Sequence, residues 1–174
     1  NIRSKYILNV SNDIIIGDHA IDNLYRCIVE HPQYGYIVPT TPNISNLQTI
    51  PVQYSTWEEF LRVAKENNVY SERKHEERVR LCNPIQIMAS AIYSQFVFEL
   101  YEDMCLSSFP DDKCSLWIRR NGYKCVLAKD AYCHHFGSVT LKHDLGKAQE
   151  QQQFYLEGRR DFFKKYGVDP WGLG

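Results

Sequence analysis

No apolar run in this 174-residue sequence approaches the roughly 20 residues that carry a helix across a bilayer. The opening residues do not have the pattern of a signal peptide. Charge of one sign is also missing: 20 Lys and Arg stand against 21 Asp and Glu, a formal net charge of -1. With no basic stripe and no acidic tail, nucleic acid is excluded as a partner and no solvating segment is indicated. Six cysteines are present (Cys27, Cys82, Cys105, Cys114, Cys125 and Cys133), but none forms a CxxC pair. Most lie among apolar neighbours. That argues against a disulfide framework and for buried free thiols in a reducing compartment, hence a cytoplasmic chain, at most at the inner face of a membrane. Cys133, His134 and His135 are contiguous, and adjacent side chains rarely converge on one ion. No internal repeat is visible, and the run Gln151 to Gln153 is too short for low complexity.

What is present fits one domain over residues 1–174, long enough to bury a core. The first residues, NIRSKYILNV, look like the entry to a strand. They suggest a piece of a longer protein. Tyr6 to Val10 and Ile14 to Ile16 are strand-like, separated by Ser11, Asn12 and Asp13. Asp18 can cap a helix carrying Ile21, Leu24, Tyr25 and Ile28, ended by His31 and Pro32. A strand follows over Tyr34 to Pro39, then loop chemistry from Thr40 to Ser55. Ser55 and Glu58 form a capping-box pattern before a helix whose face is Trp57, Phe60, Leu61 and Ala64. The charged stretch Asn67 to Arg80 suggests a solvated loop or an acceptor-side flap. Pro84 to Ala89 alternates as a strand, and Ser90 can start a helix with Ile92, Tyr93, Phe96 and Val97. Asp111 or Asp112 begins a further helix, closed by Asn121-Gly122. YKCVLAKDAYCHHF is strand-like, and a last helix runs from about Leu145 to Tyr166 before Gly167. This mixture predicts an α/β fold, a mixed sheet flanked by helices.

Three clusters can carry chemistry. Ser11-Asn12-Asp13 sits at a strand end, where a carboxylate can hold a hard divalent cation, though Asn-Asp pairs also make plain turns. Asp111-Asp112 opens a helix, where the macrodipole favours ionised carboxylates and a general base becomes possible, though a simple charged first turn looks the same. His134-His135 ends a strand and offers imidazoles to a metal or to backbone groups. Each cluster lies at an element end, and ligands of open α/β sheets gather outside the carboxyl ends of strands.

The stretch FPDDKCSLWIRRNGYKCVLAKDAYCHHFGSVT, Phe109 to Thr140, resembles the acidic motif, helix, Gly-Tyr turn, strand and His-Gly-Ser ending of inverting family 2 glycosyltransferases with the GT-A fold. YILNVSNDIII is similar to the metal-binding strand of that family, and FFKKYGVDP to its C-terminal ending. The resemblance covers nearly the whole chain except Thr40 to Cys82, and implies a partial GT-A-like fold that lacks the nucleoside-cradling N-terminal half. It implies transfer of a sugar, with inversion, from a nucleotide-sugar donor to a glycan, lipid-linked or protein acceptor. Asp111 or Asp112 would be the base. Asp13, with His134 or His135, would meet a divalent Mg or Mn ion, and Asn12 and Trp117 would contact substrate. Ser11, Pro110, Lys113 and Trp117 depart from the pattern of the family. A non-catalytic glycan- or nucleotide-binding module, and an interaction domain that self-associates through an exposed face, are therefore the alternatives.

Overall fold

A computed structural model describes residues 3–105, 109–137 and 148–172. The motif residues 138–140 and the expected helix start at Leu145 lie outside them, as does the Cys105 side chain.

Strand β1, Tyr6–Val10, apolar but for Asn9, and strand β2, Ile14–Ile16, form from short apolar segments. Helix α1, Ala20–Glu30, turns Ala20, Leu24, Cys27 and Ile28 inward at helical spacing. Its N-cap is not Asp18 but His19, in the left-handed conformation and with no side-chain cap. Asp18 is otherwise engaged: its carbonyl accepts from Asn68 Nδ2 at 2.7 Å. Strand β3 is Tyr34–Thr40. No regular element follows until helix α2, Trp57–Asn67. Amide side chains hold this loop. Gln48, fully buried, accepts from Cys82 N–H at 2.6 Å and donates to Cys82 O at 2.9 Å, as a strand partner would.

The capping box of α2 lies one residue later than expected. Thr56 Oγ1 accepts from Glu59 N–H at 3.2 Å, and Glu59 Oε2 accepts from Thr56 N–H at 3.3 Å. The shift turns Phe60, Val63 and Ala64 inward and leaves Trp57 exposed.

The charged stretch after α2 is ordered, which corrects the expectation of a solvated loop. A 3-10 turn, Glu72–Lys74, leads into strand β4, His75–Arg78. Its polar side chains find partners across the ladder. Glu77 accepts from Lys124 Nζ at 2.7 Å, Glu76 pairs with Lys129, and His75 pairs with Asp130. A polar edge strand of this kind needs no apolar alternation.

Strand β5, Ile85–Ala89, precedes helix α3, Ser90–Cys105, and helix α4, Pro110–Arg120. Gly122, at φ 81, takes the left-handed position after α4. The long strand β6, Lys124–His135, follows, then helix α5, Ala148–Tyr166, and a 3-10 turn, Pro170–Gly172.

The six strands form a mixed sheet ordered β1-β5-β3-β6-β2, with β4 also on β6. Strand β6 organises it. Its first half pairs parallel with β3 and antiparallel with β4, and its last three residues pair antiparallel with β2. Alternation along the strands sorts side chains to two faces. Ile37, Ile85, Ile87, Val126 and Ala128 pack under α1, whereas Tyr36, Val38, Met88, Cys125 and Leu127 pack under α3 and α4. Helices thus flank the sheet on both sides, as the sequence predicts. Helix α2 caps the far end of β6 through Phe60 and Tyr132, and α5 docks on α4 through Phe162, Leu116 and Phe109. The five cysteines whose side chains are described are buried and unpaired, as expected. No helix among the described residues is long and apolar enough to cross a membrane.

Asn68 ties α2 to β6. Its Oδ1 accepts from buried Tyr132 N–H, and its Nδ2 reaches Asp18 O and, at 3.3 Å, Tyr132 O. Asn68→Ala is expected to destabilise the fold by about 3 kcal/mol, because a buried N–H loses its acceptor. Urea unfolding checks this, and a loss under about 0.5 kcal/mol would contradict it.

Candidate functional site

The carboxyl ends of β1 and β6 meet the amino end of α4 at a cleft of about 570 Å³. Ser11, Arg80, Asp111, Asp112 and His135 line it, so residues from all three sequence clusters approach one place.

The ladder between β2 and β6 sets the metal-side geometry. Ile14 stands opposite His135, and Phe136 N–H donates to Asp13 O at 3.1 Å. Asp13 is thereby held beside His135, and Oδ2 of Asp13 lies 3.2 Å from Nε2 of His135. Nδ1 of His135 is buried with no hydrogen-bond partner among the described residues. The Asp13 carboxylate and the His135 imidazole make a two-residue donor set, one oxygen and one nitrogen, of the kind a divalent cation takes. Asn43 Nδ2 donates to His135 O at 2.9 Å and fixes the strand end.

His134 is turned the other way, because successive strand residues face opposite sides. Its Nδ1 meets Tyr54 Oη, which also hydrogen-bonds Tyr132 Oη at 2.8 Å, and its ring packs near Phe60 and Phe136. Burial, with His135 adding to it, lowers the pKa of His134 below the usual imidazole value. Of the two histidines, the cleft therefore takes His135 alone. Asn12 is exposed in the turn between β1 and β2. Trp117 lies in the core, edge-on to Phe96, with Nε1 donating to Glu99 at 2.6 Å. It does not line the cleft.

The acidic pair sits in the first turn of α4, with Pro110 at its first position. Phe109 adopts φ 68, an uncommon conformation for a bulky residue, and tucks its ring against Phe162. The helix dipole leads one to expect readily ionised carboxylates here. The opposite holds. Burial, reinforced by the charge of Asp112, pushes Asp111 up to about 7, although Asn83 N–H and Arg80 pull it down. Burial likewise lifts Asp112 to about 6, against the pull of Arg80. Removal from water outweighs a dipole acting over a single turn.

The two carboxylates differ in access. Asp112 is only 2% exposed and is paired with Arg80, whose Nε lies 2.5 Å from Oδ1. Asp111 is half-buried and faces the cleft with no such pairing among the described residues. Across the opening stand Phe109, Tyr155 and Trp171, with Arg159 stacked 4.3 Å above the Trp171 ring.

No family model matches this sequence, and no curated protein is significantly similar to it. The cleft must therefore be judged on its own chemistry.

Several of these residues carried no local signal. Arg80 belongs to the charged stretch after α2, where nothing separates it from its neighbours. A second group, Cys27, His31 and His75, could hold a metal ion, with one ligand atom from each lying within 4.8 Å of the others. The four-residue spacing of Cys27 and His31 on one helix is the only sequence trace of it.

Proposed function

We propose that this chain supplies the acid–base and cation-holding part of an inverting glycosyl transfer from a nucleotide sugar. The observation that carries the reading is Asp111, a cleft carboxyl raised to about 7, lining the same cleft as His135, whose Nε2 lies 3.2 Å from Asp13 Oδ2. A base with a pKa near neutral balances ionisation against proton affinity. Ionised Asp111 accepts the proton of an acceptor hydroxyl. The hydroxyl oxygen forms a bond to the anomeric carbon as the bond from that carbon to the diphosphate breaks. The leaving electron pair departs on the diphosphate, and configuration inverts. A divalent ion, Mg or Mn, held by Asp13 and His135 would supply neutralising charge for that diphosphate. Arg80 adds fixed positive charge beside Asp112. The aromatic wall of Phe109, Tyr155 and Trp171 suits the apolar face of a sugar acceptor.

The test is release of nucleoside diphosphate from common nucleotide sugars by the protein, with and without a chelator. Turnover that needs the ion, and that falls about tenfold per pH unit below about 7, is the expected result. Asp13→Asn is expected to raise the concentration of ion needed by at least about tenfold.

A second reading has one observation in its favour. With Asp112 neutralised by Arg80 and an aromatic wall opposite, the cleft also suits a glycan-binding module without catalysis. Saturable sugar binding with no turnover under any ion would decide for it.

A further inference from the structure

We propose that Cys27, His31 and His75 form a zinc site, its fourth position open to water, that fastens the polar segment between α2 and β5 to the end of helix α1. None of these residues lines the cleft, so the site stands independently of the proposed transfer.

The geometry is that of ligands already gathered. Cys27 lies in the last turn of α1, His31 is its C-cap four residues on, and His75 starts β4. Sγ of Cys27 is 3.6 Å from Nδ1 of His75, close to the roughly 3.5 Å edge of a tetrahedron built on Zn–S and Zn–N bond lengths. Ligand atoms from all three residues lie within 4.8 Å of one another, so small side-chain adjustments close the set. Glu72, mostly exposed on the 3-10 turn, stands outside this set, its Oε1 2.9 Å from His31 Nε2.

The outer partners have the arrangement that ligating histidines need. Nε2 of His75 is 3.2 Å from Asp130 Oδ2, which leaves Nδ1 free to ligate. Nδ1 of His31 is 3.0 Å from the Cys27 carbonyl and Nε2 faces Glu72, so whichever nitrogen ligates, the other keeps an acceptor. Imidazoles fixed in this way by a carboxylate or a carbonyl are the usual companions of a bound ion.

Charge points the same way. Asp130 is wholly buried, and its Oδ1 has no hydrogen-bond partner among the described residues. Cys27 is fully buried, so no acyl substrate reaches it. A divalent cation would neutralise the ligating thiolate and the buried Asp130 carboxylate. A sulfur and two imidazoles select zinc over the hard ions.

The site has structural work to do. The 3-10 turn buries none of its residues, and β4 is polar throughout. An ion joining the end of α1 to the start of β4 would give this segment the anchor that apolar packing does not provide.

The experiment uses the chain stripped with a chelator and titrated with Zn²⁺, or with Co²⁺ as the spectroscopic probe. One tight equivalent of zinc is expected, with a thiolate-to-cobalt charge-transfer band and tetrahedral d–d absorption. Zinc at a hundredfold excess over Kd should raise Tm by about 8 °C. Cys27→Ala should remove the charge-transfer band and weaken zinc binding beyond the roughly 10–100-fold that loss of an outer partner costs. A wild-type cobalt spectrum without the thiolate band overturns the site even if the variant fails to fold. So does zinc binding by a folded Cys27→Ala that matches wild type.

Discussion

Asp111→Asn is expected to lower transfer by at least about a hundredfold and, at pH 8, to make the fold more stable than wild type. Both effects come from the same burial. Asp111 titrates near 7 in the folded chain, against about 3.9 for an unfolded Asp. Between those values the folded state holds a proton that the unfolded state has released. Stability attributable to this group is therefore full below about pH 4 and falls as pH rises towards about 7. Above that range the ionised carboxylate carries a penalty on the order of 2 kcal/mol, after discounting for its partial exposure. Asparagine is close in shape, still accepts from Asn83 N–H, and cannot ionise. Wild type and variant should thus unfold at similar urea midpoints at pH 4 and separate at pH 8, with the variant ahead. A site shaped for function at the expense of stability has this signature. A variant that is both active and no more stable would remove Asp111 from the role of base. A variant that is inactive and less stable would show that its carboxylate serves the fold instead.

The parts of the architecture legible in the sequence are those that local patterning determines. Tyr6 to Val10, apolar except for Asn9, and the apolar Ile14 to Ile16 are bounded by polar residues, and they form β1 and β2 within the same limits. Helix α4 was legible from Pro110, the acidic first turn and Asn121-Gly122, each a terminus signal in its own right. Strand β4 was not, because HEER has no alternation to detect. Its partners are Lys124, Lys129 and Asp130, about fifty residues away, and only the closed sheet brings them alongside.

The site divides in the same way. That Ser11 of the first cluster, Asp111 and a histidine approach one place was readable from their positions at element ends. Which histidine enters the cleft was not, since it depends on which face of β6 is covered by α2. The tuning of the acidic pair was missed for a related reason. A helix dipole is visible in sequence, whereas burial by Arg80, Tyr155 and Trp171 comes from three distant segments. Trp117, aligned with a substrate-side position by resemblance, is instead used by the core, where Glu99 satisfies its N–H. The Cys27, His31 and His75 group suffers most from reading along the chain, since its third member lies in a stretch whose charge suggested a loop.

Arg80→Met is expected to be the most damaging single change in the cleft wall, and its damage should depend on pH. Asp112 is 2% exposed, and Arg80 is its cationic partner. Removing one member of a buried pair leaves the other charge in a medium that solvates it poorly, at a cost of about 3–5 kcal/mol. The chain can escape part of that cost by keeping Asp112 protonated. Its folded pKa, about 6 with Arg80 present, must then rise further. The sign follows from proton counting. Below about pH 5, Asp112 is largely protonated in both folded proteins and the difference between them shrinks. As pH rises through 6, wild type gains an ionised pair while the variant either holds its proton or bears an unpaired charge, so the gap widens towards pH 8. Arg80→Met combined with Asp112→Leu replaces the pair with apolar groups and should recover most of the lost stability, as buried pairs do when both partners are exchanged. Urea unfolding of wild type, the two single variants and the double variant at pH 5 and pH 8 gives the coupling energy directly. A coupling of less than about 0.5 kcal/mol at pH 8 would mean that the two sites behave independently, and that Arg80 serves the cleft as a free cation and not as the partner of Asp112.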